Sequence, residues 1–175
     1  MSYKNKTYII FDADNDMSYY RLMTAWKKNE KIDFNFFNAH EIYSINKDHI
    51  EKLRKLDKQE GTSRVEKYIK SKLKERLTNT KQAIVLVGDS TKDLYKYVRW
   101  EIEVAMNMDI PIIAVNLNKK NEAHAKTPPI LKNKAYFVSV PYEVKKIKYA
   151  LDNFPDFYHT NKTKVPSILT YDWKE

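Results

Sequence analysis

Short apolar runs alternate along the chain with longer stretches whose apolar residues fall at helical spacing. Tyr8-Ile9-Ile10-Phe11 is a strand-length run that ends in the carboxylate-rich turn Asp12-Ala13-Asp14-Asn15-Asp16. Tyr19, Leu22, Met23 and Trp26 then follow the i, i+3, i+4, i+7 pattern of one helix face. Ile32, Phe34 and Phe36 alternate ahead of Phe37-Asn38, which suggests a second strand. Residues 39–61 carry only Ile50, Leu53 and Leu56 at helical spacing, and they read as a long loop holding a short helix. Ser63 and Glu66 have the spacing of a capping box, with Val65, Ile69, Leu73 and Leu77 continuing as a helix to about Asn79.

Ala83-Ile84-Val85-Leu86-Val87-Gly88 has no polar residue, as befits a central parallel strand. Asp89-Ser90-Thr91 can cap the helix that follows, which reads to about Met106. Ile110 to Leu117 is another buried strand, with Pro111 at its start. Residues 118–134 read as loop, Ala135 to Val140 as a fifth strand, and Val144, Ile147, Leu151 and Phe154 as a last helix. This β-α-β-α-β-α-β-β-α order implies an α/β fold: a five-stranded parallel sheet of order 2-1-3-4-5, with helices on both faces. Residues 1–154 form the domain in this reading, and the aromatic tail 155–175 packs back on it. Ligands on such sheets gather at the carboxyl ends of the strands. That rim holds Asp12 to Asp16, Asn38 and Gly88 to Thr91.

Composition mostly excludes. The 175 residues include no cysteine, which removes disulfides, zinc–thiolate sites and thiol catalysis. Two glycines cannot write a Rossmann fingerprint or a P-loop. Four scattered histidines form no metal-ligand spacing, so no metal is expected. No run approaches a membrane span and no signal peptide is visible, which fits a cytoplasmic protein. The net charge of +9 is spread over the chain and dominated by lysine. It reads as a solvated surface, with nucleic-acid binding as the lesser reading.

One residue breaks the pattern. At 100° per residue, Leu94, Val98 and Ala105 share a helix face, and Glu101 lies in the same sector, while Lys96, Arg99 and Glu103 lie opposite. A carboxylate on a buried stripe costs several kcal/mol unless paired. It either meets a partner, such as a lysine of the long loop, or lines a ligand cleft.

The run Tyr97-Val98-Arg99-Trp100-Glu101-Ile102, with Gly88-Asp89-Ser90-Thr91 before it and Ile112-Ile113-Ala114-Val115-Asn116 after it, resembles Toll/interleukin-1 receptor (TIR) domains. The likeness is nearest to the nucleotide-signalling TIR-like subunit of Thoeris antiphage defence, and it spans about residues 7 to 117. The resemblance implies that Glu101 is the catalytic residue of an enzyme that cleaves NAD at the nicotinamide–ribose bond. It implies NAD as substrate rather than a cofactor, a cyclic ADP-ribose-type product, an effector protein reached through that product, and homo-oligomers built through TIR surfaces. Phe11, Asp12, Asp14, Asn38, Ser90 and Trp100 are the expected substrate-binding residues: Asp12, Asp14 and Asn38 suit ribose hydroxyls or the carboxamide, Ser90 a phosphate and Trp100 stacking on a base, though Phe11-Asp12-Ala13 stands where many TIR domains carry a serine and Asn38 where an aspartate is common. Each also has a plainer role. Asp12, Asp14 and Asn38 suit turns, Ser90 suits a helix cap and Trp100 suits core packing. Some TIR domains are interaction modules without activity, so an adaptor is the alternative.

Overall fold

The computed structural model describes residues 6–38, 46–78, 80–91, 97–163 and 165–173. Its centre is an all-parallel sheet of β1 (Lys6–Ile10), β2 (Phe37–Asn38), β3 (Gln82–Val87), β4 (Ile112–Asn116), β5 (Tyr136–Pro141) and β6 (Ser167–Leu169), in the order β2-β1-β3-β4-β5-β6. The first five strands take the expected 2-1-3-4-5 order, and a sixth is added beside β5. The register runs Tyr8 to Ala83, Ile84 to Ile113 and Val138 to Leu169.

Because strand side chains alternate, the apolar runs feed two cores. Tyr8, Ile10, Val85, Val87 and Ala114 point to one face. There they meet Leu77 of α3 (Arg64–Leu77), Val98, Ile102 and Ala105 of α4 (Tyr97–Asn107), and Leu131 of α5 (Pro129–Lys134). Ile9, Ile84, Leu86, Ile113 and Val138 point to the other, against Met23 of α1 (Met17–Lys28) and Ile147, Ala150, Leu151 and Phe154 of α6 (Val144–Asn161). Both faces of the central strands are covered, which is why these strands read as unbroken apolar runs.

Several segments differ from the sequence reading. The second strand is only two residues long. Phe34 and Phe36 are buried in the irregular chain before it, edge to face at 5.6 Å. The expected long loop contains a 14-residue helix, α2 (Lys47–Glu60), closed by Gly61 at φ 62°. It buries no residue, so the Ile50, Leu53 and Leu56 spacing marks a helix there without showing its full length. Ser63 makes no capping bond. Asp57 of α2 accepts from the backbone N–H of Arg64 and Val65 instead, both at 2.9 Å. The expected loop 118–134 ends in α5, entered by proline at its first turn, where a missing N–H costs nothing.

The last helix does not stop at Phe154. It runs through Pro155 to Asn161, so a boundary at 154 falls within a helix. Phe154 and Tyr158, one turn apart, stack edge to face at 5.9 Å, and Tyr158 reaches Tyr136 of β5, which offsets the ladder bond that proline removes. Beyond it, β6 extends the sheet. Trp173 donates its indole N–H to Asn121 at 2.9 Å. Among the described residues no helix is long and apolar enough to cross a membrane.

Candidate functional site

Glu101 lies on the buried stripe of α4, where the spacing placed it, and is 7% exposed. Its partner is not a lysine of the long loop. The Tyr8 hydroxyl, from the middle of β1, donates to Glu101 Oε1. The guanidinium of Arg76, near the end of α3, acts electrostatically on both groups. Burial raises the Glu101 pKa from 4.5 to about 7, against the opposing pull of the Tyr8 hydrogen bond and the Arg76 charge. Burial, and then the carboxylate's charge, push the Tyr8 phenol well above its usual value. Three elements that are distant in sequence thus enclose one carboxyl group poised between its two protonation states near neutral pH.

Trp100 follows α4 round to a half-buried position, where the Lys70 ammonium of α3 sits 5.8 Å from its ring centre. That contact is helix–helix packing. Phe11 stacks on Tyr20 of α1, with ring centres 4.7 Å apart and planes within 8°. Phe11 packs with the core on the sheet face opposite Tyr8. Leu94 and Lys96 of the helical pattern lie outside the described residues, and Asn38 is placed only as the last residue of β2.

The other expected residues gather at the carboxyl rim. Asp12 organises the turn after β1. It accepts from the backbone N–H of Asp14 at 3.0 Å, from the Asn15 side chain at 2.6 Å, and from the Ser90 hydroxyl at 2.7 Å. Those hydrogen bonds hold its carboxyl below the usual range despite its burial. Ser90 therefore ties the β3 rim to the β1 rim through its hydroxyl. Asp14 is exposed on the same turn.

Sequence reasoning did not single out Asp16, which is 5% exposed. Its Oδ2 has no hydrogen-bond partner among the described residues. Burial, with the charges of Asp12 and Asp89, raises its pKa from 3.8 to about 6. It comes so close to Gly88 that a Cβ there would meet Asp16 Oδ1 at 2.8 Å. The glycine after the central strand thus makes room for a carboxylate. Asp16, Tyr19, Gly88, Asp89, Ser90 and His124 are among the residues around a rim cavity of about 460 Å³. Glu101 is not among them. Its core, with Tyr8 and Val85, is on one face of the sheet, whereas the cavity's Leu117 and Tyr19 pack with the core on the other. The described structure therefore separates the expected site residues into a Glu101 enclosure and a rim cluster. No group of three or more ligating side chains suited to a metal ion occurs among the described residues.

The sequence model for the TIR-like domain of the Thoeris protein ThsB matches residues 8–122, which takes in β1 through β4, Asp16 and Glu101. No curated protein matches the chain.

Proposed function

Because the chain belongs to the TIR-like domain family of the Thoeris protein ThsB, and so to antiphage defence signalling, we propose that it cleaves NAD at the nicotinamide–ribose bond and releases a cyclic ADP-ribose-type signal. The supporting observation is Glu101, a carboxyl group set into the apolar face of α4 and held by the Tyr8 hydroxyl beside Arg76. The reaction asks for little more. Nicotinamide leaves as a neutral base, taking the bonding pair, and the ribose passes through a state resembling an oxocarbenium ion. An ionised carboxylate in a site sheltered from water stabilises that charge and can orient the ribose hydroxyls. No metal and no acid for the leaving group are needed. A nucleophilic atom of the ADP-ribose itself then attacks the same carbon to give the cyclic product, and water attacking there gives the linear one.

In this reading the Tyr8–Glu101 hydrogen bond yields to a ribose hydroxyl when substrate enters. The Tyr8 bond and the Arg76 charge favour the ionised carboxylate, so turnover rises with pH through about 7, the value to which burial brings Glu101. The product would act on an effector protein in the cytoplasm, and assembly of several copies through TIR surfaces would complete or open the site. The second reading is a non-catalytic adaptor, and the enclosure of Glu101 at 7% exposure favours it.

Incubation of the protein with NAD at high protein concentration, with nicotinamide and nucleotides followed by chromatography and mass detection, separates the two readings. Release of nicotinamide by the wild type and its loss in Glu101→Gln supports the enzyme, and the product mass distinguishes cyclic from linear ADP-ribose. Equal turnover by both proteins would sink the assignment of Glu101. Silence of both, with or without infected-cell lysate, would favour the adaptor.

A further inference from the structure

Asp16 precedes α1 in the position of an N-cap, yet its side chain makes no capping bond. Its backbone carbonyl accepts from Tyr19 N and Tyr20 N, while the carboxylate is turned toward Gly88 and the rim cavity. An aspartate at this position ordinarily satisfies a free N–H of the first turn. Here Oδ2 is buried without a partner among the described residues, amid the charges of Asp12 and Asp89. Such an arrangement costs stability, and a fold retains it where the carboxylate has a partner that comes from outside.

The rest of the cavity indicates what that partner is. Asp12 is already used by the turn and by Ser90. Asp89 is exposed at the mouth. His124 accepts a hydrogen bond at Nδ1 from Lys126 N at 2.9 Å, which leaves its proton on Nε2. Burial keeps the ring neutral, so it adds no positive charge to the cavity. Lys126 and Lys132 act on His124 electrostatically but neither lines the cavity, whose described lining is acidic, rich in acceptors and includes Tyr19 and Leu117. At about 460 Å³ the space suits a small organic molecule and far exceeds what one metal ion requires. Three nearby carboxylates oppose any phosphate or carboxylate ligand.

We propose that this rim cavity is a binding site for a small organic cation with N–H donors, an ammonium or guanidinium compound, whose charged head pairs with Asp16 and Asp89. Tyr19 and Leu117 pack with the core on the other face of the sheet from Tyr8, so in this proposal the cavity is a site apart from Glu101, although Ser90, expected beside the substrate, lines it. It stands or falls independently of that activity.

Calorimetric titration of the intact chain with agmatine, which carries both head groups, tests it, with butylamine and methylguanidine separating the two heads. The expected result is saturable binding by agmatine that weakens roughly tenfold or more in Asp16→Asn, as loss of a buried charge-assisted hydrogen bond implies. Asp89→Asn, at an exposed position, weakens it severalfold and serves if Asp16→Asn does not fold. Glu101→Gln leaves it unchanged. Absence of binding by all three cations would overturn the proposal, as would wild-type affinity in both the Asp16 and Asp89 variants. Binding of ribose or magnesium in place of the cations would overturn it too.

Discussion

Glu101 and Asp16 are both buried carboxyl groups, but they are stabilised to different extents. Glu101 has a hydroxyl donor and a guanidinium nearby, whereas Asp16 has other carboxylates nearby and an oxygen with no partner among the described residues. Glu101 titrates at about 7 in the folded chain and at its ordinary 4.5 when exposed. The folded state therefore holds its proton more tightly. Below about pH 4.5 the group costs nothing, and the cost grows as pH rises through 7. Glu101→Gln keeps an acceptor for Tyr8 and removes the charge. Its stability should match the wild type at pH 4 and exceed it at pH 8 by roughly 3 kcal/mol, read as a higher melting temperature. A margin that shrinks with rising pH would mean that Arg76 outweighs burial. Gly88→Ala pushes a methyl group against Asp16 Oδ1 at 2.8 Å, and thermal unfolding should show a loss of about 1–3 kcal/mol. Glu101 was legible in sequence because a carboxylate interrupts an apolar helical stripe. Asp16 was not, because it is one of four Asp or Asn residues in a five-residue turn, and it differs from the equally buried Asp12 only in having an oxygen without a partner among the described residues. Tyr8 was hidden for a different reason. In the run Tyr8-Ile9-Ile10 it reads as one more apolar residue, and its hydroxyl matters only through contacts with chain about 70 and 93 positions away.

At the scale of elements, the four long strands and the helices with a buried stripe were readable, since burial on one or both faces dictates their period. What escaped was the length of the exposed helix α2, of which only a short stretch was readable. Its stability comes from its ends: Asn46 accepts from His49 N at 3.0 Å, and Gly61 supplies the left-handed turn. Just past that turn, Asp57 accepts from the Thr62 hydroxyl and from two backbone N–H groups of α3. These hydrogen bonds hold the Asp57 carboxyl below its usual 3.8. Their contribution is therefore present above that pH and is lost as pH falls through the lowered value. Asp57→Asn should speed amide hydrogen exchange in α2 and the first turn of α3, with little change in β3 or α4. A uniform change throughout the chain would show that the α2–α3 corner unfolds only with the whole molecule.

For the molecule as a whole, the sheet decides which parts are separable. Glu101, Tyr8 and Arg76 belong to the half built on β1 and β3, while β6 joins the sheet at the far edge, beside β5. The tail holds there by its short register with β5, by the Asn121 contacts to Tyr171 and Trp173, and by the edge-to-face packing of Tyr149 with both rings. Those rings and Leu169 are partly buried against the α1–α6 core. Removing residues 163–175 would return that apolar surface to water and cost roughly 3 kcal/mol, read as an earlier denaturant midpoint. No described residue of the Glu101 enclosure or the rim cavity is deleted. The shortened chain should therefore keep agmatine binding, and the stabilising effect of Glu101→Gln should still grow with pH. Loss of both together would mean that the far edge of the sheet holds β1 and β3 in register. Loss of agmatine binding alone would point to the Asn121 contacts, because the same 118–124 segment carries Asn118 and His124 into the cavity.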